Sequence, residues 1–321
     1  MNQDTYDTVV VGAGPVGLAC AIELKRIGHR VVVMDKGALV NSLIGYPTNM
    51  EFFSTPELLE IGGYPFATRN YKPRREEALD YYRRVAFRED LPLALHETVV
   101  DLRGSQPAFT LVTDKRTVAC SQVVLAIGFF DIPNRLDVPG GGMDKVVHYY
   151  KEPYAYTGRD VLIVGAKNSA AKAALDCLRN GARVSMVVRG DDIGESVKYW
   201  IRPDLKNRIA EGAITATFNS GVERIEEKSV TIRTPDGLRT IANDVVLAMT
   251  GYRPDFALLE RLGVTFHADA ARTPIYNDQT METERPGLFV AGTVCGGLRT
   301  SRWFIENGRF HAEAIANSLS A

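Results

Sequence analysis

The sequence predicts an α/β fold of two Rossmann-like dinucleotide-binding units. Three observations predict it: an apolar run that breaks into glycines at residues 8–17, a second such run at residues 161–170, and one constant spacing that superimposes them.

The first run, Thr8 to Val11, has the continuous apolar character of a strand buried on both faces, and Gly12, Gly14 and Gly17 turn it into a helix. Each glycine has its own task. Gly12 makes the tight turn, Gly14 lets the backbone approach a pyrophosphate, and Gly17 lets helix and strand pack closely. With Pro15 and Val16 they form the expected phosphate cradle at a helix N-terminus. The helix runs through the i, i+4 pair Leu18 and Ile22 to Gly28. A second strand, Val31 to Met34, then ends at Asp35 and Lys36, where a carboxylate is expected to accept hydrogen bonds from ribose hydroxyls.

The unit recurs 153 positions later, from Gly12 to Gly165, and the same offset carries Gly28 to Gly181, Gly17 to Ala170, Gly14 to Lys167 and Asp35 to Val188. Ala170, Ala174, Cys177 and Leu178 form one apolar helix stripe. The acid is lost in this copy, and Arg189 follows instead. A guanidinium there makes charge-assisted bonds to a 2′-phosphate that a carboxylate would repel. The first unit therefore suits the ADP half of FAD and the second suits NADPH. Lys167, in place of a glycine, is expected to hold the backbone slightly away from a pyrophosphate while its ammonium reaches phosphate oxygens; Asn168 and Ser169 add polar groups at the helix start.

The chain has 321 residues, 45% hydrophobic and 24% charged, enough for two domains with proper cores. Its 38 Lys+Arg against 39 Asp+Glu leave no global field for nucleic acid or an anionic membrane. No apolar run approaches the roughly 18 residues of a membrane span, and the polar start at residues 1–7 leads us to expect a cytoplasmic protein. Cys20, Cys120, Cys177 and Cys295 are widely spaced, with no CxxC and no metal-ligand cluster, so reduced, mostly buried thiols and no metal are expected.

Strand ends at Ala126-Ile-Gly128 and Ala248-Met-Thr-Gly251, and the segment from Gly287 to Gly292 and Thr293, resemble the two-domain flavoprotein disulfide reductases at thioredoxin-reductase size. The resemblance spans the chain and implies a flavin domain from residues 1–130 and 253–321, with an NADPH domain, 131–252, inserted. It implies that Gly128, Gly292 and Thr293 lie along the flavin and Gly251 along the nicotinamide nucleotide. The family's ribityl-binding Asp is Thr293 here, and residues 147–154, where thioredoxin reductase carries its CxxC, hold no cysteine.

Tyr46-Pro-Thr48 with Phe52-Phe53, Lys72-Pro-Arg-Arg75 with Tyr81-Tyr-Arg83, His148-Tyr149, Gly165-Ala-Lys-Asn-Ser-Ala170, and Phe304-Ile-Glu-Asn-Gly308 with Phe310-His311 are similar to the bacillithiol disulfide reductases, the YpdA-like proteins. That likeness implies a cytoplasmic homodimer that passes a hydride from NADPH to FAD and electrons onward to a small disulfide. It also implies a thiol in a Gly-Pro-Cys-Gly turn, where this chain has Val16. The alternatives are an electron-transfer flavoprotein serving ferredoxin, flavodoxin or a quinone, and a non-catalytic sensor that binds a partner protein.

Tyr46, Phe52 and Phe53, with Tyr149, Tyr150 and Trp303, are candidates to wall the isoalloxazine, and Thr48 is a further cofactor-binding candidate. Arg299, Arg302 and Arg309 could draw an anionic disulfide. Cys295, near an expected helix start that favours thiolate, and His148, as a proton donor, are the candidate catalytic groups. Hinges are expected at residues 131–142 and 252–254.

Overall fold

The computed structural model describes residues 4–320; Met1 to Gln3 and Ala321, the ends of the expected flavin domain, lie outside them. The chain opens with β1 (Asp4–Val11), α1 (Pro15–Arg26), β2 (Val31–Asp35), α2 (Asn41–Gly45), α3 (Pro56–Leu59), α4 (Arg75–Arg88), β3 (Leu93–Leu95), β4 (Val99–Ser105), β5 (Ala108–Thr113) and β6 (Thr117–Leu125). It continues through β7 (Ile132–Pro133), β8 (Val146–Val147), β9 (Asp160–Val164), α5 (Asn168–Arg179), β10 (Arg183–Val187), α6 (Arg202–Ala210) and β11 (Ile214–Thr217). After them come β12 (Gly221–Ile225), β13 (Ser229–Thr234), β14 (Gly237–Ala242) and β15 (Val245–Ala248). It closes with β16 (Tyr252–Arg253), α7 (Phe256–Arg261), β17 (Leu288–Val290), α8 (Ile305–Gly308) and α9 (His311–Leu319).

Two compact units result. The first comprises residues 1–45, 49–132 and 252–321, the second residues 46–48 and 133–251. In the first, a seven-stranded sheet runs β3-β2-β1-β6-β5-β4, with β17 beside β6. Strands β3, β2, β1, β6 and β17 are parallel, while β5 and β4 run antiparallel as a meander. In the second, five parallel strands run β11-β10-β9-β15-β8, and β12-β13-β14 form a separate antiparallel sheet.

The offset of 153 is kept in detail. It maps α1 onto α5 end to end and the β1–β2 register, Val11 opposite Met34, onto Val164 opposite Val187. Gly12 N–H donates to Met34 O at 2.7 Å and Gly165 N–H to Val187 O at 3.1 Å; Leu18 N–H donates to Gly14 O and Ala171 N–H to Lys167 O, each at 2.9 Å. In both sheets the strand order reverses beside the first strand, the place where open α/β sheets take ligands at their carboxyl ends.

Residues 136–143 differ from the expected hinge. Leu136, Val138 and Met143 pack on the buried Leu162, Ile225 and Val246, and Ile225 N–H donates to Pro139 O at 2.9 Å. A Cβ on Gly140 would stand 2.0 Å from Ile225 O. The Pro and Gly of this stretch build a docked turn; proline and glycine mark rigid turns as readily as loose ones. Residues 46–48 group with the second unit, and Thr48 N–H donates to Lys151 O at 2.9 Å.

Two glycines of the first turn give opposite expectations. A Cβ on Gly17 would lie 1.9 Å from Gly12 O, whereas one on Gly14 meets nothing within 4 Å. Gly17→Ala should cost about 3 kcal/mol or more through overpacking, and Gly14→Ala should leave the ligand-free protein within about 0.5 kcal/mol of wild type. Chemical denaturation of the flavin-stripped chain reads both.

Candidate functional site

The carboxyl edge of β1 carries the first site. Gly12 has φ +113°, and a Cβ there would meet Ala126 O at 2.4 Å, so the loop leaving β6 closes directly on the glycine turn. Gly14 is the N-cap of α1, Pro15 occupies its first turn, and no side chain caps the helix start. Open space at Gly14 and an uncapped N-terminus fit the pyrophosphate of a dinucleotide.

At the end of β2, Asp35 accepts from Ala13 N–H (2.8 Å) at one carboxylate oxygen and from Gly37 N–H (2.7 Å) at the other. Burial raises its pKa, against the lowering effect of these two amides. Each oxygen keeps a second lone-pair direction, which could serve a ribose hydroxyl. Lys36 pairs with Asp131 at 2.9 Å. Gly12, Asp35, Lys36, Gly128 and Asp255 line one cleft within this unit. Glu97, on which the sequence drew no attention, also lines it: its buried carboxylate accepts from Thr113 Oγ1 and Arg116 Nε at 2.9 Å, and its N–H donates to Asp35 O.

The turn after β17 completes the first unit. Gly128 (φ +69°) faces Thr293, whose Oγ1 lies 3.7 Å from where a Cβ on Gly128 would stand. Gly292 (φ +77°) is packed on Val16, three of whose side-chain carbons lie 3.2 Å from its missing Cβ. Val16 is thus buried against backbone, where the family likeness implied a thiol. Phe52 is buried and Phe53 exposed.

The cysteine and histidine expectations change. Cys295 lies in a 3-10 turn, Gly292–Gly296, fully buried, and burial raises its pKa; the expected thiolate is disfavoured. Cys20, Cys120 and Cys177 are likewise buried and free, each pushed up to about 12 by burial. His148, in the second unit, has its pKa lowered by burial and by the charge of Arg135, with a hydrogen bond to the Ala248 backbone acting the other way. That favours the neutral ring over the expected proton donor. Tyr150 belongs to the core of the second unit beside Tyr156, ring centroids 6.1 Å apart.

Two of the three arginines are committed elsewhere. Arg309 donates to the carbonyls of Glu57 and Glu60, and Arg299 to Asp269 and Thr273.

In the second unit Gly165 (φ +132°) meets Met249 O as Gly12 meets Ala126 O, at 2.5 Å. Gly251 (φ +87°) lies near Asn134. Lys167 is the N-cap of α5 with the extended backbone of Gly14, so its Cβ stands where the first unit leaves space. Ser169 is exposed and Ala170 buried. Arg189 is exposed just past β10, and among the described residues no side chain pairs with it. The amide of Asn168 is held by the loop at residues 196–198 rather than presented to a phosphate.

A family model described as pyridine nucleotide-disulphide oxidoreductase matches residues 9–292. The chain belongs to that family. It is similar to the bacilliredoxin reductase Bdr of Bacillus subtilis (strain 168), 42% identical over 314 residues and 97% of each chain. Solved structures of bacillithiol disulfide reductase Bdr (YpdA) align from Staphylococcus aureus (TM-score 0.95, 37% identity, 99% of this chain and 98% of that one). The Bacillus cereus structure aligns with TM-score 0.96 and 38% identity over 99% of both chains. The two-domain, thioredoxin-reductase-like α/β fold and the resemblance to the bacillithiol disulfide reductases are both borne out. This oxidoreductase takes FAD and a pyridine nucleotide, which the cradles at Gly14 and at the N-terminus of α5 fit. Among the described residues, no helix of this family member is long and apolar enough to cross a membrane.

His311 Nδ1 accepts Gly292 N–H at 3.0 Å, fixing the turn that packs on Val16, a contact that nothing in the sequence marks. Burial and the charge of Arg302 lower its pKa to about 4. The unfolded imidazole protonates below pH ~6.5 while the folded one stays neutral, so stability is full above that pH and falls as pH drops to about 4. The loss should be on the order of 3 kcal/mol. Urea unfolding between pH 7 and 4 should show it, and His311→Phe should flatten that part of the profile.

Proposed function

We propose that this chain is an NADPH-specific, FAD-dependent reductase of low-molecular-weight disulfides of the bacillithiol type, working as a cytoplasmic homodimer. The observation that carries the nucleotide preference is Arg189, exposed beyond β10, where the matching strand of the first unit ends in Asp35. The names of the similar proteins support the acceptor class. Four buried, free cysteines suit a reducing compartment, and exposed Phe304 and Phe310 offer apolar surface to a second copy.

In this reading Gly12, Gly14, Pro15, Val16 and Gly17 cradle the FAD pyrophosphate, and Asp35, with Lys36 beside it, holds the ribose. Gly128, Gly292 and Thr293 border the ribityl chain, and Phe52 and Phe53 shield the ring. Gly165, Lys167, Ser169, Ala170 and Gly251 seat the nicotinamide nucleotide, with Arg189 on its 2′-phosphate. Bound there, FAD would supply the hydride-accepting and electron-donating chemistry between NADPH and the acceptor. The net change converts NADPH, a proton and one disulfide into NADP⁺ and two thiols. This chain positions the partners; it contributes no thiol from the Val16 turn, and neither Cys295 nor His148 is assigned a step.

That missing sulfur favours a second reading, an electron-transfer flavoprotein whose acceptor is ferredoxin, flavodoxin or a quinone. Anaerobic mixing with NADPH should bleach the flavin at least about tenfold faster than NADH, and Arg189→Ala should erase most of that preference, a loss of about 1.5–3 kcal/mol. Bacillithiol disulfide should then sustain NADPH consumption. If it fails while ferredoxin or a quinone succeeds, the second reading replaces the first. Val16→Cys trims one methyl from a packed site, so it should cost about 1 kcal/mol of stability and leave flavin reduction by NADPH intact, while showing whether a thiol at that turn raises disulfide turnover. Sedimentation velocity reads the oligomeric state.

A further inference from the structure

Residues 190–201 leave β10 just past Arg189 and return to α6. The segment is anchored along its length: Ile193, Val197 and Ile201 are buried in the core of the second unit, and Arg202 Nε donates to Ile193 O at 2.9 Å. Arg202 and Lys206 both reach the carboxylate of Asp192, at 3.2 and 2.6 Å. Its outer side is gripped by the first residue of α5. Asn168 Nδ2 donates to Ser196 O at 3.0 Å, and Asn168 Oδ1 accepts from Lys198 N–H at 2.9 Å. Reversing the amide would set acceptor against acceptor and donor against donor, so the pair of bonds fixes one orientation.

The grip brings Lys198 to the carboxyl edge of β9 and β10, the edge that also carries Lys167 and Arg189. Beside it Tyr199, 82% exposed, pairs edge-to-face with Trp200, ring centroids 4.8 Å apart, and Lys198 Nζ lies 5.8 Å from the Trp200 ring centre. Cations next to an exposed aromatic pair suit a phosphorylated nucleotide: the phosphate monoester takes charge-assisted bonds and the purine stacks on the ring.

We propose that Asn168 is a positioning residue that clasps residues 190–201, and that Lys198 and the Tyr199–Trp200 tip are specificity-determining contacts for the 2′-phosphate and adenine of NADPH. The inference rests on the reading of the second unit as the NADPH site. Asn168 acts on the nucleotide through the loop, its amide being already engaged.

Calorimetric titration of the FAD-loaded chain with 2′,5′-ADP and with 5′-AMP tests this, because neither probe carries nicotinamide and neither needs turnover. Wild type should prefer 2′,5′-ADP. Asn168→Ala and Lys198→Ala should each lower the ratio of the two affinities about tenfold, the weight of one bond to a charged group. Lys198→Ala, at a partly exposed side chain, keeps the test valid if Asn168→Ala does not fold. If Arg189→Ala abolishes the preference while Asn168→Ala and Lys198→Ala keep it at the wild-type value, the clasp is wrong and the NADPH reading stands. If wild type itself binds both probes equally, the NADPH reading falls and the clasp with it.

Discussion

Each unit is organised around a place where two backbones meet with no room for a methyl group. The carbonyl of Ala126 lies 2.4 Å from the position a side chain at Gly12 would take, and that of Gly12 lies 1.9 Å from the corresponding position at Gly17. These contacts draw α1 down onto β1 and β6 and aim its N-terminus across the point where the strand order reverses. Everything assigned to the first site follows from that placement: the uncapped helix start, the carboxylate of Asp35 held by Ala13 and Gly37, and the cleft between them. The second unit repeats the meeting at Gly165 and Met249 but accepts Ala170 where the first demands Gly17.

The two units share closely similar turn backbones and differ in their side chains. The turns at Gly14 and Lys167 have the same extended conformation, so the departure at Lys167 lies in the side chain and leaves the helix start in place. Past the following strands the contrast is electrostatic. Asp35 is half-buried and spends both oxygens on backbone amides, whereas Arg189 stands in solvent. A committed carboxylate reads neutral hydroxyls, while an exposed guanidinium suits a dianion.

How much of this was legible in the sequence depended on the range of the interaction. The strand–turn–helix copies were readable because the steric demand on Gly12, Gly17 and Gly165 is local, and local demands leave residue-level marks. The bacillithiol-reductase-like segments were readable for a related reason. Arg75 donates to the carbonyls of Leu43 and Ile44, Tyr82 to Leu59 O, and Asn307 to Arg302 O, so unusual residues hold irregular loops. Long-range packing was not legible. Nothing beside Cys295 in the chain says that it is sealed rather than poised at a helix start, and nothing near Tyr150 says that it faces Tyr156 in a core. His311 meets Gly292 across 19 positions and Asn168 meets Lys198 across 30, distances at which a single sequence carries no signal. The turn at residues 136–143 misled for the opposite reason, since its Pro and Gly are the marks of a hinge as well as of a docked corner.

The sealing of all four cysteines also makes the chain's sulfur a gauge of its own breathing. Buried sulfhydryls react with an alkylating reagent chiefly through openings, so the labelling rate at each follows the opening of its surroundings. Cys20 and Cys295 report on the flavin-side core, Cys120 on β6, and Cys177 on α5. Four native probes, placed in both units, allow the loosening of one to be timed against the other with no foreign label.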